Sequence, residues 1–145
     1  MELSIRHAAF GTDDFEACLA IRIAVFVGEQ NVPAEEERDA LDETAKHFLV
    51  LHQGEPAGTA RTIVKAPGLV KIGRVAVSAP FRKSGVGAAV MRAAESAHPG
   101  STFVLDAQVQ ALPFYEKLGY VAEGEMFMEA GIPHRHMIKP SSFAR

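Results

Sequence analysis

The chain has 145 residues, 48% hydrophobic and 23% charged, which is the size and composition of one globular domain spanning 1–145 and excludes wholesale disorder, collagen-like repeats and coiled coil. Lys+Arg 15 against Asp+Glu 18 leaves a net charge of -3, so the basic surplus that displaces counterions from a duplex is missing and nucleic acid is not an expected partner. One cysteine, Cys18, excludes an internal disulfide and a thiolate metal site; with no basic-then-apolar leader and no apolar run near the roughly 20 residues that span a bilayer, a cytoplasmic protein without membrane contact is expected.

In chain order, Leu3–His7 alternates and is read as a first strand. Thr12 can cap a helix over about Asp13–Val27, with Asp13, Asp14 and Glu16 at its positive end. Phe15, Cys18, Leu19, Arg22, Val25 and Phe26 form its stripe. Cys18 is read there as a packing residue. Arg22 on such a stripe requires a carboxylate partner, Asp42 or Glu29. Asn31-Val-Pro33 breaks the chain, and the acidic stretch Glu35–Glu43 is read as a second short helix. His47–His52, the turn Gln53-Gly-Glu-Pro56 and Ala57–Lys65 make a hairpin, followed by a strand at Leu69–Ser78. A helix over Val86–Ala97 is closed by His98-Pro-Gly100. Then come a strand to Asp106, a short helix from Pro113 to Lys117 ended by Gly119, and strands at Tyr120–Met128 and His134–Ile138. A hairpin followed by strand–helix–strand units predicts a mixed α/β (α+β) sheet with helices on both faces.

The segment richest in chemistry is Val75-Ala-Val-Ser-Ala-Pro-Phe-Arg82-Lys-Ser-Gly85-Val-Gly87, a strand running through a glycine-containing loop straight into a helix. Gly85 and Gly87 let the backbone approach a ligand, and the amides at the helix start favour an anion there. Arg82 and Lys83 add positive charge. A phosphate or pyrophosphate is the natural guest, although such a loop by itself is more often just a tight connection. It is neither a P-loop nor the three-glycine dinucleotide fingerprint. No magnesium-binding carboxylate pattern accompanies it, which disfavours phosphotransfer.

Arg82-x-x-Gly85-x-Gly87 resembles the pyrophosphate loop of the GNAT N-acetyltransferase superfamily. Ala111-Leu-Pro-Phe114-Tyr115-Glu-Lys-Leu-Gly119-Tyr120 is similar to that family's Ala-x-x-Phe-Tyr-x-x-x-Gly-Phe/Tyr element. Arg22-x-x-Val25-Phe26-Val27-x-Glu29-Gln30 and Gly131-Ile-Pro-His134 resemble the ElaA-like and YjcF-like bacterial subgroup. The resemblance implies a mixed, mostly antiparallel sheet of six to seven strands, splayed at a V-shaped cleft, with about four helices on both faces. It implies acetyl-CoA as acetyl donor and no metal. Val75, Ala76 and Val77 would pair with the pantetheine arm, and Arg82, Lys83, Ser84, Gly85, Val86, Gly87 and Ala88 would hold the pyrophosphate. Gln108, where the family often has Asn, and Phe114 would contact the coenzyme. Tyr115 matches the usual general acid; a phenol in hydrogen-bond reach can protonate a departing thiolate. The implied activity is acetyl transfer to a primary amine by direct attack in a ternary complex. A non-catalytic acyl-CoA sensor of the same fold is the alternative.

On the acceptor side, some family members carry a Glu before the Val-x-Val strand, where this chain has Lys71, Gly73 and Arg74. The base candidates are Glu29, Asp42, His47 and Asp106, or a water relay. Glu35, Glu36, Glu37, Asp39, Asp42 and Glu43 read as a solvated helix face or, given the resemblance, as an acidic rim attracting a cationic small-molecule or peptide amine. His134 and His136, two apart, lack further ligands for a metal and are read as structural or acceptor-pocket residues. A homodimer is a further expectation.

Overall fold

The computed structural model describes residues 2–141; Met1, where a leader would begin, and residues 142–145 lie outside the described residues. The strands are β1 (Leu3–His7), β2 (Lys46–His52), β3 (Glu55–Ala66), β4 (Leu69–Val77), β5 (Thr102–Gln108), β6 (Val121–Glu129) and β7 (Ile132–Lys139). They form one seven-stranded sheet in the order β1-β2-β3-β4-β5-β7-β6. Among the described residues only the central β4–β5 pair is parallel. The helices are α1 (Asp13–Arg22), α2 (Ala34–Glu37), α3 (Val86–Ser96) and α4 (Leu112–Lys117). This is the mixed sheet predicted from the order of elements, and the mostly antiparallel arrangement that the resemblance implies. None of the described helices is long and apolar enough to cross a membrane.

β2 reads Lys-His-Phe-Leu-Val-Leu-His, and its run Phe48–Leu51 is wholly buried because the sheet is covered on both faces. Phe48 and Val50 face α3, joining Val70, Ile72, Val90, Met91 and Leu105 in the larger core. Leu49 and Leu51 face α1, with Cys18, Ile21 and Val25. α3 buries Val86, Ala89, Val90 and Ala94, spaced three and four apart on one stripe. Each large apolar side chain so buried contributes about 1.5–3 kcal/mol. Gly58 is required beneath this helix, since a Cβ there would lie 2.5 Å from Val86 Cγ1.

The Thr12 hydroxyl caps α1 by accepting from the Phe15 amide at 3.2 Å. The helix runs past the expected end at Val27: a π-helical stretch, Ile23–Glu29, carries it to Gln30. The wider π turn brings Val25, Phe26, Glu29 and Gln30 to the wall of the central cleft. The acidic stretch forms α2 and a 3-10 turn, Ala40–Glu43, rather than one continuous helix.

Candidate active site

β4 and β5 pair only at Leu69–Thr102, Val70–Phe103 and Lys71–Val104; beyond these the strands part. A bulge in β4 marks the parting. Arg61 pairs with Gly73 while Thr59 pairs with Ala76, and Arg74 takes φ +52°. The extra residue exchanges the faces of the strand: Val70 and Ile72 point toward α3 before it, Val75 and Val77 after it. Ala76 is thereby turned to the α1 side. The gap opens into a cleft of about 840 Å³, well inside the range of ligand sites. Of the expected coenzyme-binding residues, Val75, Ala76, Val77, Arg82 and Gln108 line it, as does Tyr115. Lys83, Ser84, Gly85, Val86, Gly87, Ala88 and Phe114 stand outside it, on the loop and at the starts of α3 and α4.

The loop enters α3 through two left-handed residues, Lys83 at φ +66° and Gly85 at φ +84°. The Ser84 hydroxyl fixes the turn by donating to the Phe81 carbonyl. The amides of Ser84 through Ala88 have no acceptor among the described residues, and Gly85 gives the helix no side-chain cap. Their partial positive charge is available to an anion. A Cβ at Gly85 would meet nothing within 4 Å. Gly87 is closely covered, its would-be Cβ lying 3.1 Å from the Phe114 ring. Arg82 turns inward: its Nε donates to the Val77 carbonyl at 3.0 Å and its Nη2 pairs with Glu29 at 2.8 Å.

Tyr115, at 8% exposure, sits edge-on to Phe114 and Tyr120. Burial pushes its phenol well above the usual value. Its hydroxyl has no hydrogen-bond partner among the described residues. Tyr120, by contrast, donates to Glu95 at 2.7 Å. Gln108 is occupied: its Nε2 donates to Gln30 Oε1 at 2.7 Å, tying the end of β5 to the end of the π turn.

The base candidates separate by position. Asp42 and His47 are not among the residues lining the cleft. His47 is buried, which lowers its pKa, and its Nε2–H donates to the Asp42 carbonyl at 2.8 Å. Glu29 and Asp106 line the cleft but are paired, Glu29 with Arg82 and Asp106 with His136 at 2.9 Å and Lys71 at 3.5 Å. His134, which the sequence left between structure and pocket, lies in the cleft wall, whereas His136 does not.

The acidic stretch is a solvated face only at Glu35, Glu36 and Glu43. Glu37 and Asp42 are buried, and Arg22 bridges them at 2.6 and 2.9 Å. Arg22 thus finds Asp42, as expected, but its second partner is Glu37 and not Glu29. Arg61 joins Asp42 at 2.8 Å and Asp39 at 2.7 Å, and Arg74 reaches Glu37 and Asp39 at 3.2 Å. Burial opposes ionisation of Asp42, but the bonds and charges of Arg22 and Arg61 outweigh it and hold the carboxyl below its usual range. Asp39 is lowered chiefly by its hydrogen bond to Arg61. The network pins α2 and the 3-10 turn to β3 and β4 as one wall of the cleft. It could be foreseen only at Arg22, because its other members look like ordinary surface charges.

Residues 13–140 match the family described as acetyltransferase (GNAT) domain. The chain is 45% identical over 123 residues to the uncharacterized N-acetyltransferase YjcF of Bacillus subtilis (strain 168), covering 82% of this chain and 87% of that one. It is 32% identical over 142 residues to protein ElaA of Escherichia coli (strain K12), covering 93% of each. The crystal structure of Escherichia coli ElaA superposes with a TM-score of 0.80 at 31% identity, over 95% of this chain and 98% of that one. That of an acyl-CoA N-acyltransferase from Pseudomonas aeruginosa gives 0.79 at 31% identity over the same shares.

Proposed function

We propose, from the premise that the chain belongs to the GNAT acetyltransferase family and its ElaA/YjcF-like subgroup, that it transfers an acetyl group from acetyl-CoA to a primary amine by direct attack in a ternary complex. Acyl transfer and use of an acyl-CoA come with the family; the acetyl donor, the amine and the residue roles are this proposal. The observation that carries it is the parting of β4 and β5 beside the unpartnered Tyr115 hydroxyl. A thioester threaded between the strands meets a phenol with a proton to give.

The bound donor supplies an activated acetyl group. The free amides of Ser84–Ala88 support a pyrophosphate at the start of α3, with Lys83 beside it. Arg82 is turned to Val77 and Glu29, so its part is to hold the end of β4, and the phosphate charge falls to the amides and Lys83. Tyr115, buried and held protonated, donates toward the leaving sulfur. Glu36 and Glu129 line the cleft without an ion-pair partner among the described residues, which supports a cationic acceptor.

Tyr115→Phe tests the reading, because the ring packing survives and only the hydroxyl is lost. The kcat for thiol release should fall about 10²-fold, with acetyl-CoA affinity by calorimetry unchanged. Full activity would remove Tyr115 from the chemistry; a parallel loss of binding would make it a coenzyme contact. Acetyl-CoA binding without thiol release over a panel of amines would favour the sensor.

A further inference from the structure

We propose that His134 takes the proton from the attacking amine. The inference rests on the acetyl-transfer reading and adds the group that sequence and family pattern leave open. His134 is 7% exposed and lines the cleft. Its Nδ1 lies 2.7 Å from the Ile132 carbonyl. A carbonyl only accepts, so Nδ1 carries the hydrogen, and the tautomer this fixes has its lone pair on Nε2. The ring stacks on Phe127 at 5.8 Å and an interplanar angle of 22°, which fixes its plane. Nε2 has no partner among the described residues, yet it is not sealed from the cleft.

Register places it opposite Tyr115. In the β5–β7 ladder Leu105 faces Met137 and Ala107 faces Arg135, and Leu105, Ala107 and Met137 belong to the core under α3. Gln108 and His134 pair on the other side of the sheet, toward α1 and the π turn, where Gln108 meets Gln30. Tyr115 packs in the α3-side core. A thioester in the gap is then flanked by a proton donor on one face and a proton acceptor on the other. The competing carboxylates are engaged: Glu29 by Arg82, Asp106 by His136 and Lys71, and Glu37 and Asp39 by arginines. Glu36 and Glu129 are unpaired but exposed, and nothing holds them in a fixed orientation. On the face that His134 shares, the titratable groups are Asp106, paired with His136 and Lys71, Glu29, paired with Arg82, and Glu123 and Glu129 on β6; Glu36 stands across the cleft.

In the step, the amine nitrogen bonds to the thioester carbonyl carbon and its proton passes to Nε2 of His134. The carbon–sulfur bond breaks, and the departing sulfur receives a proton from Tyr115. Solvent restores both side chains, so amine and thioester yield amide and free thiol. An amine arriving as ammonium first passes its extra proton to Nε2, and solvent removes that proton before the attack begins.

The test compares wild type with His134→Asn, which keeps a donor for the Ile132 carbonyl and removes the base. Acetyl-CoA and a series of primary amines are the probes, with thiol release as readout. The variant should bind acetyl-CoA as wild type does and lose about 10²-fold in kcat/KM for the amine at neutral pH. Added imidazole should restore turnover to His134→Gly, a result that a merely structural histidine would not give. A variant with the wild-type rate beside an active wild type overturns His134 alone. A wild type that binds acetyl-CoA but acetylates no amine overturns the acetyl-transfer reading and His134 with it.

Discussion

Asp42→Asn probes the charge network that holds the acceptor-side wall. Asp42 and Arg22 are both 1% exposed. The Asp42 carboxylate receives Arg22 Nη1 at 2.9 Å and Nη2 at 3.2 Å, and Arg61 Nη1 at 2.8 Å. An amide cannot accept at all of these positions, since one end becomes a donor facing guanidinium N–H groups. Breaking a buried ion pair by removing one partner costs about 3–5 kcal/mol. Glu37 and Asp39 still neutralise much of the charge, so the lower end, about 3 kcal/mol, is expected. At this chain length that corresponds to roughly 6–12 °C in Tm. Thermal and urea unfolding followed by circular dichroism would measure it. The pH dependence has a definite sign. The folded-state pKa of Asp42 is depressed, so its stabilisation is complete above the unfolded value of about 3.9 and is lost as pH falls through the folded value. The gap between wild type and variant should be flat from about pH 5 to pH 8 and should narrow only below about pH 4. A gap under about 1 kcal/mol at neutral pH, the range of an exposed pair, would refute the reasoning. So would a gap that persists undiminished into acid.

Gly85→Val places a β-branched residue at φ +84° in open space beside the free amides. Acetyl-CoA affinity should drop at least about tenfold, roughly 1.4 kcal/mol, with the fold retained by circular dichroism; unchanged calorimetric affinity would move the pyrophosphate elsewhere. Glu36→Lys reverses an exposed cleft charge that no ion pair consumes. It should raise the KM of a cationic amine and leave that of a neutral one unmoved, and equal effects on both would remove charge from acceptor capture.

Much of this molecule can be read locally. The order of strands and helices follows from periodicity and punctuation, because alternation, capping by Thr12 and the turns at Gly54 and Gly119 act within a few residues. The loop from Arg82 to Gly87 and the segment from Ala111 to Tyr120 are likewise contiguous, and they carried the family resemblance before any coordinates. One of the two arginines buried among the described residues also announced itself, since Arg22 on an apolar stripe demands a carboxylate, whereas Arg61 on β3 gave no such signal.

The folded chain alone determined what depends on distant pairing. The bulge at Arg74 has no glycine or proline at its strained position; it exists because β3, β4 and the carboxylates of Glu37 and Asp39 fix that backbone together. It turned Arg82 from the loop toward Glu29, a residue 53 positions away. It separated base candidates that look equivalent in sequence: Asp42 and His47 went into a buried network, and Glu29 and Asp106 into ion pairs, while His134, read from sequence only as a structural or pocket residue, came to the cleft with one nitrogen unbonded among the described residues. Sequence sets which groups are present and the local conformation that carries them. Whether a carboxylate or an imidazole is open to chemistry depends on which partner crosses the sheet to meet it, and that is decided only when the strands find their register.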